Sequence, residues 1–144
     1  MKPKQSKKRS FLQGVGLSLI VIIIFGCGKD YYGIPEVVVN QTFSTTQYHE
    51  LEVAGGYAVS ETGGVAGIIV YNTGSGYVAY DRCSTVNPEK KCAVNVDETG
   101  IILVDPCSDA KYDIRSGMPS KAPAERPLKP YQVRRDGNLI RVIN

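Results

Sequence analysis

The stretch Val104-Asp-Pro-Cys-Ser-Asp-Ala-Lys-Tyr-Asp113 sets one cysteine and three carboxylates into ten residues, directly after the apolar run Ile101-Ile-Leu103. Thiol and carboxylate at this density are the makings of a metal site. They are equally a disulfide corner, or the remains of a site that no longer works. The surroundings decide between these.

Outward from this stretch the pattern is one of short β-rich runs. They cover residues 48–53, 57–59, 65–71, 77–80, 93–96, 101–104, 131–134 and 138–143. Between them stand Gly55-Gly56, Gly63-Gly64, Asn72-Thr-Gly-Ser-Gly76, Glu98-Thr-Gly100 and Asp136-Gly137. An Asp-Gly pair between alternating runs is a hairpin signal, because a type I′ turn takes positive φ at both central residues. Beyond the N-terminal head no window keeps a 3.6-residue period. The expectation is an all-β domain over 48–144, a small antiparallel sandwich or barrel. Residues 118–130 hold four prolines, which remove ladder donors, so this segment is expected to be a loop, either ordered and extended or disordered, and not a strand.

The 144 residues suffice for one domain. Lys2, Lys4, Lys7, Lys8 and Arg9 open the chain, and no acid precedes Asp30. Removing those five from the 17 basic residues leaves 12 against 14 acidic, a net charge of −2. A near-neutral body lacks the footprint that phosphate neutralisation needs, which argues against nucleic-acid binding. Residues 12–25 are mostly apolar but too short for hydrocarbon about 30 Å thick, and suit the core of a signal peptide. This run ends in Ile24-Phe-Gly-Cys27, which resembles the lipobox of bacterial lipoproteins. The resemblance implies cleavage before Cys27, so residues 1–26 are a signal peptide and Cys27 carries acyl chains. Each buried methylene adds ~0.8 kcal/mol of membrane attachment. The alternative is an ordinary anchor helix with Cys27 as a passive residue. Residues 27–47, polar and broken by Gly33 and Pro35, are expected to form a tether. The expected location is the bacterial cell envelope, exported and lipid-anchored, at the periplasmic or outer-membrane surface.

Catalytic chemistry is sparse. His49 is the chain's one histidine and has no nucleophile or metal-ligand partner near it in sequence. Gly-x-Ser-x-Gly, His-Glu-x-x-His and phosphate-cradling loops are missing. The acids cluster in turns, where solvation accounts for them. The expectation is a protein that is not an enzyme. Besides Cys27 there are Cys83, Cys92 and Cys107, an odd number, so one thiol stays unpaired or bonds elsewhere.

The order of features resembles a Rieske iron–sulfur domain. A glycine-rich strand pair, Gly63-Gly-Val-Ala-Gly-Ile-Ile-Val-Tyr71, leads to Tyr77-Val-Ala-Tyr-Asp-Arg-Cys83. After a hairpin comes Gly100-Ile-Ile-Leu-Val-Asp-Pro-Cys-Ser-Asp-Ala-Lys-Tyr-Asp113, then Ser116-Gly-Met-Pro119 and Pro127-Leu-Lys-Pro-Tyr-Gln-Val133 before a closing hairpin. The family's first loop reads Cys-x-His and its second Cys-Pro-Cys-His-Gly-Ser-x-Phe-Asp. The resemblance covers residues 65–143 and implies a small β domain with two loops at its tip. A Rieske cluster takes two cysteines on one iron and two histidines on the other. At the matching positions stand Cys83, Thr85, Asp105 and Ser108, so three of the four ligands are replaced. The family also ties its loops by a disulfide, which implies Cys92–Cys107 here. Such a bond closes a loop of about 16 residues, worth ~3 kcal/mol. Cys83–Cys92 and Cys83–Cys107 stay open as alternatives.

The resulting expectation is a lipid-anchored, cluster-free Rieske-like module with a protein partner in the envelope, no metal and no cofactor. Two alternatives stand beside it. One is electron transfer by a [2Fe–2S] cluster on unusual ligands, Cys83, Cys92, Cys107 and Asp105. The other is a thiol redox role for Cys83, with Arg82 favouring its thiolate. Zinc on the three cysteines with Asp105 or His49 is fainter still, because no closely spaced cysteine pair exists.

Overall fold

The computed structural model describes residues 31–144. The expected signal peptide, residues 1–26, and Cys27 therefore lie outside the described residues. Among these no helix is long and apolar enough to cross a membrane.

Among the described residues ten strands form two antiparallel sheets. The larger sheet holds β1 (Asn40–Ser44), β2 (Tyr57–Ser60), β3 (Ile68–Asn72), β4 (Tyr77–Asp81), β9 (Pro130–Asp136) and β10 (Leu139–Ile143). Its order is β1-β10-β9-β4-β3-β2. The two edges approach each other, and the Gln41 side-chain amide donates to Ser60 Oγ across the gap at 2.5 Å. The sheet is thus a nearly closed barrel. The smaller sheet is β5 (Asn95–Val96), β6 (Ile102–Val104), β7 (Lys111–Asp113) and β8 (Pro119–Lys121), in that order.

β3 explains how the sheets are joined. All five of its residues are buried, which requires cover on both faces. Ile68 and Val70 point into the barrel with Phe43, Leu51, Ala79, Ile140 and Val142. Ile69 and Tyr71 point the other way, into a second core with Tyr80, Leu103, Tyr112, Ile114 and Leu128. One continuous apolar run therefore serves two cores.

Four sequence expectations are corrected. Residues 48–53 are not a strand: His49–Glu52 is a short 3-10 helix. Only Leu51 of that helix is buried, and its carbonyl accepts from Asn72 Nδ2 and the Tyr77 hydroxyl, both at 2.9 Å. The tether is shorter than 27–47, because β1 lies inside it and Ile34, Val39 and Phe43 are buried. The valine run and Phe43 outweigh the breakers Gly33 and Pro35. The proline segment is not wholly loop, since Pro119 opens edge strand β8, a position where no ladder donor is lost. Finally, Asp136 pairs with Leu139, which centres the closing turn on Gly137 and Asn138. Of these two only Gly137 has positive φ (+59°), so the turn is not the type I′ form that an Asp-Gly centre demands.

Candidate functional site

Beyond Asp81 the chain leaves β4 and builds the tip. Asp81 is fully buried and accepts from the backbone amides of Val65 (2.6 Å), Ala66 (3.2 Å) and Cys83 (2.7 Å) and from the Tyr131 hydroxyl (2.7 Å). Gly64 at φ +60° permits this approach: a β-carbon there would stand 2.5 Å from Asp81 Oδ2. The first tip loop is thereby seated on the barrel. Bridge pairing of Cys83 with Ala93 and a bond from Ser84 N to Cys92 O (2.8 Å) fold it back on itself.

The second loop is a tight turn between β6 and β7. Asp105 N donates to Ala110 O and Asp109 N to Asp105 O, each at 2.9 Å. Asp109 takes φ +59°, at the position where the family loop carries glycine. Aspartate tolerates this conformation better than most residues.

The loops meet at Asp105, whose carboxylate has no solvent exposure. Its Oδ2 accepts from Ser84 Oγ of the first loop (2.7 Å) and Ser108 Oγ (2.5 Å), and its Oδ1 accepts from Cys107 N (2.8 Å). The Tyr112 hydroxyl lies 3.2 Å from Ser84 Oγ and 3.0 Å from Thr85 Oγ1. Thr85 Oγ1 in turn donates to Arg126 O at 2.7 Å, and Arg126 Nη2 returns a bond to Thr85 O at 3.1 Å. First loop, second loop and proline segment are thus closed by one polar network. A disulfide, Cys92–Cys107, crosses between the two loops beside it.

Three of the four ligand-matching positions, Thr85, Asp105 and Ser108, belong to this network. Cys83 stands apart. Its thiol is buried, with Sγ 3.7 Å from Ser84 O and 3.6 Å from Pro88 O, and is the free cysteine among the described residues. Burial, helped by the charge of Asp81, pushes its pKa up to about 11. Arg82 does not favour a thiolate there, contrary to expectation. Its guanidinium turns away to Glu61 (2.7 Å), Val94 O (3.1 Å) and Asn95 Oδ1 (2.8 Å). The Cys83 pairings left open by the sequence are not formed. Cys92, Asp105 and Cys107 place their ligand atoms within 4.8 Å of one another, but both sulfurs are committed to the disulfide. His49 is exposed in the 3-10 helix, which packs on β2 and β3 and not on the tip.

Ser84, Tyr112 and Arg126 are the participants that sequence reasoning missed. Tyr112 left a signal: it occupies the place of the family's phenylalanine, and a buried tyrosine must find a partner for its hydroxyl.

No protein-family model matches the chain. No curated protein matches it either. Solved structures do. The plasma membrane Rieske protein PetC3 of the cyanobacterium Synechocystis PCC 6803 is 26% identical over 76% of this chain and 100% of its own, with a TM-score of 0.55. The quaternary ammonium Rieske monooxygenase CntA is 9% identical over 75% of this chain and 31% of its own, with a TM-score of 0.50. The ferredoxin of carbazole 1,9a-dioxygenase from Nocardioides aromaticivorans is 21% identical over 74% of this chain and 95% of its own, at a TM-score of 0.49. The first two define the class: an all-β domain of Rieske-like fold, with a nearly closed barrel carrying a two-loop tip.

Proposed function

We propose that this chain is a membrane-anchored bacterial lipoprotein whose Rieske-like domain holds no cluster and serves as an interaction or accessory module of the cell envelope. The donor set at the tip supports the reading without a cluster. One buried thiol, one carboxylate and two hydroxyls stand where a Rieske cluster takes two thiolates and two imidazoles, and they do not fit it. The carboxylate and both hydroxyls are already bonded to other groups of the tip. Fold similarity alone assigns no activity, so this chemistry carries the reading. The lipobox-like Ile24-Phe-Gly-Cys27 supports the lipid anchor. A partner protein in the envelope is the expected client of a module without redox chemistry.

Iron and acid-labile sulfide, measured on protein purified without oxygen, test the absence of a cluster: neither is expected, and two irons per chain would refute it. Fatty-acid labelling tests the anchor. The wild-type chain takes up the probe and Cys27→Ser does not; equal labelling of both removes the lipoprotein reading.

A second reading has one observation in its favour, the grouping of Cys92, Cys107 and Asp105. On reduction these offer two thiolates and a carboxylate to iron. Iron retained only by the reduced protein would favour it.

A further inference from the structure

The point at which the chain leaves the domain lies at the tip. A β-carbon on Gly33 would stand 2.6 Å from Nη1 of Arg126, the residue bonded in both directions to Thr85 of the first loop. Just beyond, the buried ammonium of Lys129 donates to Pro35 O at 3.1 Å and pairs with Glu36 at 2.9 Å. This clamp fixes residues 33–36 along the proline segment. The 73–76 and 137–138 hairpin turns lie at the opposite end, since β4 runs from the first of them towards Cys83 and β9 runs from beside Tyr80 away to Asp136.

Between Cys27 and Gly33 there are six residue steps, which span at most about 20 Å when fully extended. A domain of this size has a radius of gyration of about 13 Å, so it is wider than its tether is long. Anchored at Cys27, it cannot turn its tip away from the bilayer. We propose that the tip lies against the head-group layer of the membrane that holds the lipid, with the phospholipid head groups as its occupant. This rests on the reading of Cys27 as the lipid-bearing residue.

The residues at the exit suit that place. Tyr31 is 65% exposed and meets Tyr32 edge-on at 5.2 Å, and tyrosine rings gather at membrane–water interfaces. Lys90 and Lys91 of the first loop are exposed and available to anionic head groups. Lys121 is paired with Asp109, while Glu89 and Glu125 offset part of the remaining charge. The tether sets the orientation, and charge only adds to it.

Full-length lipidated protein tests this in vesicles of phosphatidylethanolamine and phosphatidylglycerol that carry a head-group nitroxide. A fluorophore is placed on Lys90→Cys at the tip or on Ser75→Cys in the far hairpin. Cys83 is buried and Cys92–Cys107 is bonded, so the label goes to the new thiol. Quenching at position 90 is expected to be several-fold stronger than at 75, with Glu125→Cys as a second tip probe against local disruption. Equal quenching, or stronger quenching at 75, overturns the orientation while the anchor stands. Protection of the tip in native membranes but not in these vesicles makes a membrane protein the occupant and also overturns it. Absence of fatty acid on Cys27 overturns the anchor reading, and this inference with it.

Discussion

The barrel and the tip are held together by different kinds of interaction. Inside the barrel, Phe43, Leu51, Ile68, Val70, Ile140 and Val142 meet as plain hydrocarbon, and six strands share the ladder. Any of these residues could be exchanged for another of similar volume at modest cost. At the tip the strands of the small sheet are only two or three residues long. Closure there depends on Asp105, the hydroxyls of Ser84, Thr85, Ser108 and Tyr112, and one disulfide. Non-directional burial tolerates drift in sequence, whereas a buried polar network works only when each member is satisfied. The tip is thus the more specified half, although the smaller one.

Perturbing each half separately sharpens this contrast. Phe43→Ala removes a fully buried ring from the barrel and is expected to cost about 3–5 kcal/mol. Urea denaturation should show both halves unfolding at a lower midpoint. A loss confined to the tip would mean that the barrel does not support it. Replacing Cys92 and Cys107 together by alanine removes the staple and should cost about 3 kcal/mol. Hydrogen exchange should then quicken in residues 83–92 and 105–111 while β3 and β10 stay protected; uniform quickening would contradict the division. Asp105→Asn keeps the shape but weakens three bonds, with an expected cost of about 1–3 kcal/mol seen in the same tip amides.

The smallest effect is one of pH. Burial raises the Cys83 thiol from 9.0 to about 11 and the Tyr80 phenol from 10.0 to about 12. Both groups are favoured neutral in the fold. Their contribution is therefore complete below pH 9 and is lost as pH rises through about 11 and about 12. Thermal midpoints should be flat across this contribution at neutral pH and decline in that alkaline window. Rapid alkylation of native Cys83 at neutral pH would contradict its burial.

Much of the barrel was legible in the sequence, because its signals are local. The run Ile68-Ile-Val-Tyr71, the glycines of 73–76 and the alternation of β10 each specify their element within a few residues. The misreadings came where local signals conflict. Tyr48-His-Glu-Leu-Glu-Val53 alternates like a strand, but the 3-10 turn needs only Leu51 inward. Gly33 and Pro35 masked a segment that is clamped by Lys129, a residue 94 positions away from Pro35. The tip was legible only through family resemblance, which singled out Asp105 and Ser108 and implied Cys92–Cys107. Its network joins residues 21 to 41 positions apart, and no periodicity registers such contacts. The arrangement of Ser84 and Arg126 left no sequence signal, whereas tyrosine at 112 in place of phenylalanine did.

The central claim is that hydrogen bonds and a disulfide stand in this tip where a cluster would be. Its most direct test is a deliberate attempt to load one. The protein is reduced with excess dithiol, incubated anaerobically with ferrous iron and sulfide, desalted, and its visible and electron paramagnetic resonance spectra are recorded. The account predicts a colourless, iron-free protein with no paramagnetic signal after dithionite. Stable visible bands with two irons per chain, lost on Asp105→Asn, would contradict it.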